Sequence, residues 1–193
     1  MRPEWDEYFM VIAKIVSTRS TCNSRPTGAV VVRDKHILTT GYNGSMPGAP
    51  HCSDEPPVNG RPFCYRRHMN IGEYDKYNYC RSSHAEANAI AQAARFGISL
   101  EGATLYTTLA PCYVCLKLVA GARIRAVFFE YAYESSDPER DEFWKTAARE
   151  AKLETFKQLQ VSDEAIARVI SSLVFPTSRR MLASTLPDLP CSP

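Results

Sequence analysis

The sequence lacks a strong excess of either charge, and it lacks any long apolar run. Its 193 residues carry 23 lysines and arginines against 21 aspartates and glutamates, a formal net charge of +2. A charge so near zero excludes binding to polyanions through bulk charge, so we expect no nucleic-acid partner. No segment approaches the roughly 18 apolar residues of a membrane span, so we expect no membrane partner. The opening residues, MRPEWD, lack the apolar core of a secretory signal, and we therefore expect a cytoplasmic protein.

The sequence also lacks an even number of cysteines. It has seven, so a closed set of internal disulfides cannot use them all. One pair forms a Cys-x-x-Cys motif, and His51, His68 and His84 lie in the same stretch of chain as the cysteines. In a reducing compartment such clusters more often bind metal or carry out redox chemistry than form structural disulfides. We interpret Cys191, near the end of the sequence, as a free thiol.

The apolar pattern predicts an α/β protein with a central sheet flanked by helices. Apolar residues recur every three or four positions in some segments, as in helices, and form short continuous runs in others, as in strands. The predicted elements are helix 4–18, strands 28–32 and 36–40, a loop over 41–82, helix 84–96, strand 103–108, helix 111–120, strand 125–130, helix 138–158 and helix 163–174. This alternation places helices on the faces of the sheet. We assign residues 1–160 to one domain and residues 161–193 to a C-terminal helix and a flexible tail.

The predicted loop over 41–82 is too long to be an ordinary connection. It is rich in glycine and proline and contains Cys52, Cys64 and Cys80. A loop of about 40 residues inside a compact domain is uncommon unless it is functional or held by something other than its own core. We predict that bound metal holds this insertion.

Two short motifs carry the chemistry: His84-Ala85-Glu86 and Pro111-Cys112-Tyr113-Val114-Cys115. Each opens a predicted helix, and the spacing of Cys112 and Cys115 places both on one side of the helix. One imidazole and two thiolates give Zn²⁺ three ligands and leave the fourth tetrahedral position for water, which is the arrangement of a catalytic zinc. Glu86 follows the histidine closely enough to act as a general base toward that water. A Cys-x-x-Cys alone is also typical of redox pairs and zinc knuckles, but those alternatives leave Glu86 without a role.

The combined motif is the signature of the zinc nucleobase deaminases. Three further motifs accompany it: Arg19-Ser20-Thr21-Cys22 ahead of Gly28-Ala29, Gly41-Tyr42-Asn43-Gly44 followed by His51-Cys52, and Glu130-Tyr131-Ala132-Tyr133. Together they resemble the deoxycytidylate (dCMP) deaminase family over residues 5–135. The resemblance implies a three-layer α/β/α fold of the cytidine-deaminase type. It also implies hydrolysis of dCMP to dUMP and ammonia, in which zinc activates water, Glu86 transfers protons and the dUMP supplies thymidylate synthesis.

The resemblance further implies residues that bind the nucleotide. Asn43 and Tyr133 match family positions near the base or sugar, and backbone groups near Ala110 are a further candidate. A monophosphate needs a cationic or amide-rich pocket, for which Arg25 is the first candidate and Arg19 and Lys76 are weaker ones. Each of these residues also has an interpretation without a ligand. Asn43 could be a turn residue and Tyr133 a core tyrosine. Each of the cationic residues could lie on the surface in solvent.

Regulation and a second metal are also implied by the resemblance. In the family dCTP activates and dTTP inhibits, usually in a hexamer, and the region around Gly41, Tyr42 and Gly44 resembles the effector site, with Mg²⁺ accompanying a triphosphate. We therefore expect a homo-oligomer. For the region around Gly41, Tyr42 and Gly44, the alternative to an effector site is a flexible surface loop. Some members carry a structural zinc, for which this sequence offers Cys22, Cys52, Cys64 and Cys80, with His51 or His68 as substitutes. Free, partly buried thiols are the alternative.

Three other functions stay open at this point. A deaminase of another base or nucleotide, such as dCTP, a modified dCMP or tRNA adenosine, would share the zinc motif. A zinc-stabilised binding module without catalysis has no use for Glu86 beside an open coordination position. A thioredoxin-like redox protein would use Cys112 and Cys115 but not His84.

Overall fold

The computed structural model describes residues 2–72, 75–132 and 138–171. The helices are α1 (Trp5–Ser17), α2 (Tyr65–His68), α3 (Lys76–Tyr79), α4 (Ala85–Arg95), α5 (Tyr113–Gly121), α6 (Pro138–Glu150) and α7 (Asp163–Ser171). The strands are β1 (Gly28–Arg33), β2 (His36–Tyr42), β3 (Gly44–Ser45), β4 (Ser82–Ser83), β5 (Thr104–Leu109), β6 (Ala126–Tyr131) and β7 (Thr155–Gln158). Within these ranges no helix combines the length and apolar character needed to cross a membrane.

Five of the strands form one mixed sheet in the order β2-β1-β5-β6-β7. Strands β2, β1 and β5 are antiparallel neighbours, whereas β5, β6 and β7 run parallel. The β1–β2 hairpin turns at Asp34 and Lys35, which have φ of 52° and 65°. Two positive φ values in a two-residue loop are typical of the tight turn that matches strand twist. The parallel strands require crossovers, which α5 and α6 supply.

Alternate residues of β1 divide between two apolar layers. Ala29 and Val31 belong to a cluster with buried residues of α4 and α5, whereas Val30 and Val32 belong to a cluster with α1 and α7. Because successive strand residues point to opposite faces, the two clusters lie on the two sides of the sheet. The three-layer α/β/α architecture expected from the sequence is thereby confirmed.

The predicted helix over 138–158 is wrong at its C-terminal end. Helix α6 ends at Glu150, and Lys152 has a φ of 53° that breaks the helical path. The chain then forms β7, which pairs in parallel with β6. Phe156 packs on Phe129 with ring centroids 5.1 Å apart, so burial against the sheet outweighs the local helical pattern.

The described residues of the long insertion form short elements only. Its two ends are joined, because β3 pairs with β4 through Gly44 opposite Ser83 and Ser45 opposite Ser82. Between them, the Asn23 side chain donates hydrogen bonds to the carbonyls of Cys52 and Phe63 at 2.7 and 3.1 Å. Such contacts and the buried ring of Phe63 secure the middle of the insertion to the domain.

Candidate active site

Two helix N-termini bring three metal-ligating side chains together. His84 is the residue before α4 and Cys112 the residue before α5, so both lie at the start of a helix. Nδ1 of His84 lies 3.4 Å from Sγ of Cys112 and 3.4 Å from Sγ of Cys115. All three donor atoms lie within 4.8 Å of one another. We call His84, Cys112 and Cys115 the metal triad.

The geometry of the metal triad fits zinc. Zinc bound to sulfur at about 2.3 Å and to nitrogen at about 2.05 Å, with tetrahedral angles, separates the two ligands by about 3.6 Å. The observed separations of 3.4 Å between the His84 nitrogen and each cysteine sulfur are close to this ligand-to-ligand distance. Both cysteines are buried and the histidine is partly exposed, so the triad has a protein side and an open side. Three ligands with one open side are the arrangement of a catalytic zinc.

Glu86 lies in the first turn of α4, beside the metal triad. Its side chain is 4% exposed and interacts with Cys115. Burial raises the pKa of this carboxyl to about 7, although the nearby charge of His84 opposes the rise. A carboxyl group that titrates near neutral pH can both accept and donate a proton, which is what general acid–base chemistry needs.

The two cysteines share a hydrogen bond. It lowers the pKa of Cys112 to about 4, with a further contribution from His84. The same hydrogen bond raises the pKa of Cys115, and burial raises it further. One thiolate is therefore favoured before any metal binds, and a metal ion would be needed to remove the proton from the second.

A cleft of about 290 Å³ opens at the carboxyl ends of β5 and β6. Its lining includes Arg25 and Thr27 from the loop before β1, and Leu109, which lies three residues before Cys112. The cleft and the metal triad therefore lie at the same edge of the sheet, where ligands of open α/β folds commonly bind. Arg19 and Ala110 are not among its lining residues, but Arg25 is.

Asn43 holds the loop that carries Arg25. Its buried side-chain carbonyl accepts hydrogen bonds from the Thr27 N–H at 2.8 Å and the Ser20 hydroxyl at 2.6 Å. Its amide donates to the Arg25 carbonyl at 2.8 Å. This network joins the end of β2 to residues 20–27, and direct contact of Asn43 with a nucleotide stays a prediction.

The other predicted binding residues lie in different environments. The Ala110 N–H donates to the Tyr131 carbonyl at 2.9 Å, which secures β5 to β6. Gly41 packs against α4, because a Cβ there would lie 2.2 Å from the Ala85 carbonyl oxygen. Gly44 packs against Thr21 in the same way, and Tyr42 is exposed. Tyr133 and the side chain of Lys76 lie outside the described residues.

Four further cysteines form a looser group, which we call the cysteine cluster: Cys22, Cys52, Cys64 and Cys80. Burial raises the pKa of the Cys80 thiol, and the other three thiols are near enough to add to the rise. Among the described residues, however, the metal triad is the one group of three candidate ligands with all donor atoms within 4.8 Å. The cysteine cluster is therefore more open than the roughly 3.8 Å sulfur separations of a tetrahedral zinc.

Two histidines near the cysteine cluster differ in their contacts. Nδ1 of His51 is buried and has no hydrogen-bond partner in the described part of the chain. The exposed His68 packs its ring on Phe63, with centroids 5.3 Å apart. A buried nitrogen without a partner is costly unless something binds it, so His51 is the better substitute ligand.

Comparison with known proteins identifies the family. Residues 3–131 match the model of the cytidine and deoxycytidylate deaminase zinc-binding region. This chain belongs to the cytidine and deoxycytidylate deaminase family. The matched region contains the whole metal triad and Glu86, and it confirms the predicted class of enzyme, a zinc-dependent hydrolytic deaminase.

Several relatives of this deaminase carry more specific names. The deoxycytidylate deaminase of Mycobacterium phage D29 is 41% identical over 133 residues, which cover 66% of this chain and 95% of the phage protein. The deoxycytidylate deaminase of Enterobacteria phage T4 is 33% identical over 172 residues, which cover 75% of this chain and 85% of that protein. ComE operon protein 2 of Bacillus subtilis is 36% identical over 134 residues, covering 69% of this chain but only 63% of the Bacillus protein.

A solved structure extends the comparison to the fold. The crystal structure of the dCMP deaminase from the cyanophage S-TIM5 in complex with dCMP and dUMP has a TM-score of 0.60 and 25% identity. The match covers 82% of this chain and 99% of the cyanophage chain.

Sequence reasoning missed two residues of the cleft, Lys14 and Glu130. They form an ion pair at 2.6 and 2.7 Å across 116 positions of sequence. Glu130 stood out within a family motif, but nothing in the sequence indicated its partner. Lys14 looks like an ordinary polar residue of an amphipathic helix, so only the tertiary contact reveals it.

Proposed function

We propose that this protein hydrolyses dCMP to dUMP and ammonia, supplying dUMP for thymidylate synthesis. The observation that carries the proposal is the buried carboxyl of Glu86 beside three ligands that fit zinc. Relatives named deoxycytidylate deaminase, and a structural neighbour that binds dCMP and dUMP, support dCMP as the substrate.

Hydrolysis of dCMP requires one side chain that both accepts protons from water and donates them to the cytosine base. Bound at the metal triad, zinc would acidify a water molecule at its open coordination position. Glu86 takes a proton from the attacking water and protonates N3 of cytosine. It then delivers the second water proton to the amino group as the C4–N bond breaks. Ammonia leaves, the water oxygen becomes the C4 carbonyl, and Glu86 returns to its starting state.

The cleft supports recognition of a nucleoside monophosphate. Arg25 lines it, and a guanidinium favours bidentate hydrogen bonds to phosphate. Asn43 fixes the backbone of Arg25 and so supports its position. We propose that Arg25 binds the phosphate, and that Asn43 and Tyr133 contact the base or sugar.

The test is a substrate panel with a matched pair of variants. The metal-loaded protein is incubated separately with dCMP, dCTP, cytidine, deoxycytidine, guanine and tRNA, and ammonia is measured. We expect dCMP to give the highest kcat/KM. Turnover confined to tRNA or to guanine would refute the proposal.

Glu86→Gln keeps the shape of the side chain and removes its ability to transfer protons. We expect kcat to fall by about 10²–10⁴-fold. Zinc content and melting temperature should stay unchanged. Glu150→Gln, at an exposed position of α6, serves as the control and should leave kcat unaltered. A Glu86→Gln enzyme with full activity would refute the assigned role.

We also propose that the protein forms a homo-oligomer and is regulated allosterically, with the effector bound in the region of Gly41, Tyr42 and Gly44. Activation by dCTP and inhibition by dTTP, with Mg²⁺ on the triphosphate, follow from the family resemblance. Initial rates against dCMP concentration, with and without each triphosphate, test the regulation, and light scattering tests the assembly. Hyperbolic curves that neither triphosphate moves would remove this part of the proposal.

We propose a second, structural zinc at the cysteine cluster. The four thiols lie close enough to interact, and the buried Nδ1 of His51 supplies a substitute ligand. Metal analysis should give two zinc ions per chain, falling to one in Cys80→Ser. The control Cys191→Ser removes a thiol outside the described residues and should leave two. One zinc in the unaltered protein would exclude the second site.

We also propose a domain boundary and a cellular location for the protein. We propose that residues 1–160 make up the deaminase domain with its metal-held insertion, and that the enzyme works in the cytoplasm. Helix α7 packs with α1 in one of the two apolar layers, so a stable proteolytic fragment ending near residue 160 would show that the domain folds without α7. Fractionation of cells would test the location.

A further inference from the structure

The cleft contains a partly buried ion pair that has no role in the proposed metal binding or proton transfer. Both carboxylate oxygens of Glu130 accept hydrogen bonds from the Lys14 ammonium, at 2.6 and 2.7 Å. The Glu130 side chain is 4% exposed and that of Lys14 is 26% exposed. The pair joins α1 to the last residues of β6, and both residues line the cleft.

The pair sets the charge of the cleft. Among the described lining residues, the charged side chains are Lys14, Arg25 and Glu130, which together have a formal net charge of one positive. A nucleoside monophosphate carries nearly two negative charges at neutral pH, and each added phosphate contributes at least one more. Beyond the first phosphate, further negative charge would meet the Glu130 carboxylate and an ammonium that this carboxylate already neutralises.

The ion pair does more than join α1 to β6, because it also places the Lys14 ammonium beside the cleft. This ammonium also lies 5.6 Å from the centre of the Tyr131 ring at the cleft wall. If Glu130 lost its charge, the ammonium would stay beside the cleft, held by the ring and available to phosphate oxygens. Desolvating such a pair costs free energy that an apolar contact would not, so the charges themselves are the feature to explain.

We propose that Glu130 is a specificity-determining residue that restricts the cleft to nucleoside monophosphates by neutralising Lys14. The inference rests on the proposed deamination of dCMP. It names the ligand class that the cleft rejects, nucleoside di- and triphosphates, and the side chain that rejects them.

The experiment measures kcat/KM for dCMP, dCDP and dCTP, each as the sole substrate of the metal-loaded enzyme. Glu130→Gln keeps the shape of the side chain and frees the ammonium of Lys14. We expect the dCTP-to-dCMP ratio of kcat/KM to rise at least tenfold, with dCDP between the two. The dCTP-to-deoxycytidine ratio of kcat/KM should rise as well, because deoxycytidine has no phosphate for the ammonium to bind.

A charge-matched variant provides the control. Lys14→Met combined with Glu130→Gln restores the net charge of the unaltered cleft, so its ratio should return to within threefold of the original. Equal losses toward all substrates in Glu130→Gln, or a double variant that keeps the raised ratio, would overturn the proposal. An unaltered enzyme that fails to deaminate dCMP would instead refute the proposed function.

A second variant covers the case in which Glu130→Gln does not fold. Ser17→Lys adds one cation to the cleft lining and leaves the ion pair intact. It should shift the ratio toward dCTP in the same direction. A ratio that stays unchanged in the folded Ser17→Lys enzyme would overturn the proposal.

Discussion

The metal triad and the cysteine cluster use the same ligand chemistry but are positioned in opposite ways. The triad lies at the first turns of α4 and α5, whose buried residues pack on the sheet. The cysteine cluster draws three of its four members from the insertion, whose helices have four residues each. In the triad, the His84 nitrogen lies 3.4 Å from each cysteine sulfur, close to the ligand-to-ligand distance of tetrahedral zinc, whereas the cysteine cluster is more open.

The difference shows which metal-ligating residues the apolar core can hold in place and which it cannot. Helix ends packed on a sheet have their backbone fixed by apolar burial, so ligands there are preorganised at no further cost in chain entropy. A loop with few buried residues must lose that entropy when the metal binds. Metal bound at the cysteine cluster would therefore contribute to folding of the insertion, whereas metal bound at the triad would contribute chemistry.

Removal of metal should give the largest effect and should affect the two regions differently. With a strong chelator and a reductant, we expect activity to disappear and protease cleavage to begin within residues 46–80, because the proposed second zinc would hold the insertion but not the main sheet. Far-UV circular dichroism should keep the signal of the sheet and its helices. Activity is measured alongside mass spectrometry of the fragments.

The comparison would fail in either of two outcomes. Cleavage within the main sheet before the insertion would show that the triad also depends on metal for folding. An insertion that resists protease in the metal-free protein would show that its own contacts hold it.

Two glycines at which a helix packs closely on a strand should give effects of intermediate size. A Cβ at Gly41 would lie 2.2 Å from the Ala85 carbonyl of α4, and one at Gly28 would lie 2.1 Å from the Ala13 carbonyl of α1. Gly41→Ala and Gly28→Ala should each lower the free energy of unfolding by about 1–3 kcal/mol through overpacking. Urea titration measures both losses.

Of these two variants, only Gly41→Ala should lower kcat substantially. Gly41→Ala displaces the first turn of α4, which carries Glu86, and a shift of about 1 Å there can lower kcat by about 100-fold. Gly28→Ala displaces α1, so it can change KM through the cleft but should leave kcat within about twofold. Equal kcat in both variants would show that α4 is not held against β2 as described.

The smallest expected effect concerns a contact remote from the metal triad and the cysteine cluster. The Tyr106 hydroxyl donates to Asp6 at 2.6 Å, and burial together with this hydrogen bond raises the pKa of Tyr106 above its ordinary value. Tyr106→Phe should cost about 1 kcal/mol of stability at pH 7 and leave kcat unchanged.

The pH dependence follows from the raised pKa. The native state binds the phenol proton more tightly than the unfolded chain, so this part of the stability is present below about pH 10 and declines as the pH rises above that value. The difference between wild type and Tyr106→Phe should shrink between about pH 10 and 11 in thermal unfolding. A constant difference would show that Asp6 does not hold the proton on Tyr106.

Local patterns predicted the chemistry of the triad and most of the elements. His84, Glu86, Cys112 and Cys115 belong to two motifs whose spacing can be read directly, and each motif opens a helix. Strand β7 was missed because four residues after a helical stretch carry too little pattern, and their pairing depends on β6. The same limit applies to Lys14 and Glu130, which are 116 positions apart.

Local sequence was enough to predict the ligand types, the acid beside them and the alternation of helices and strands, because each depends on neighbours within one or two turns. The tertiary structure decided which side chains share a cleft and how Asn43 holds the loop of Arg25. It also decided that Glu130 neutralises Lys14 and that the cysteine cluster stays more open than the triad. Those features arise where distant segments meet at one edge of the sheet, and contacts of that kind are set by the packing of the whole domain.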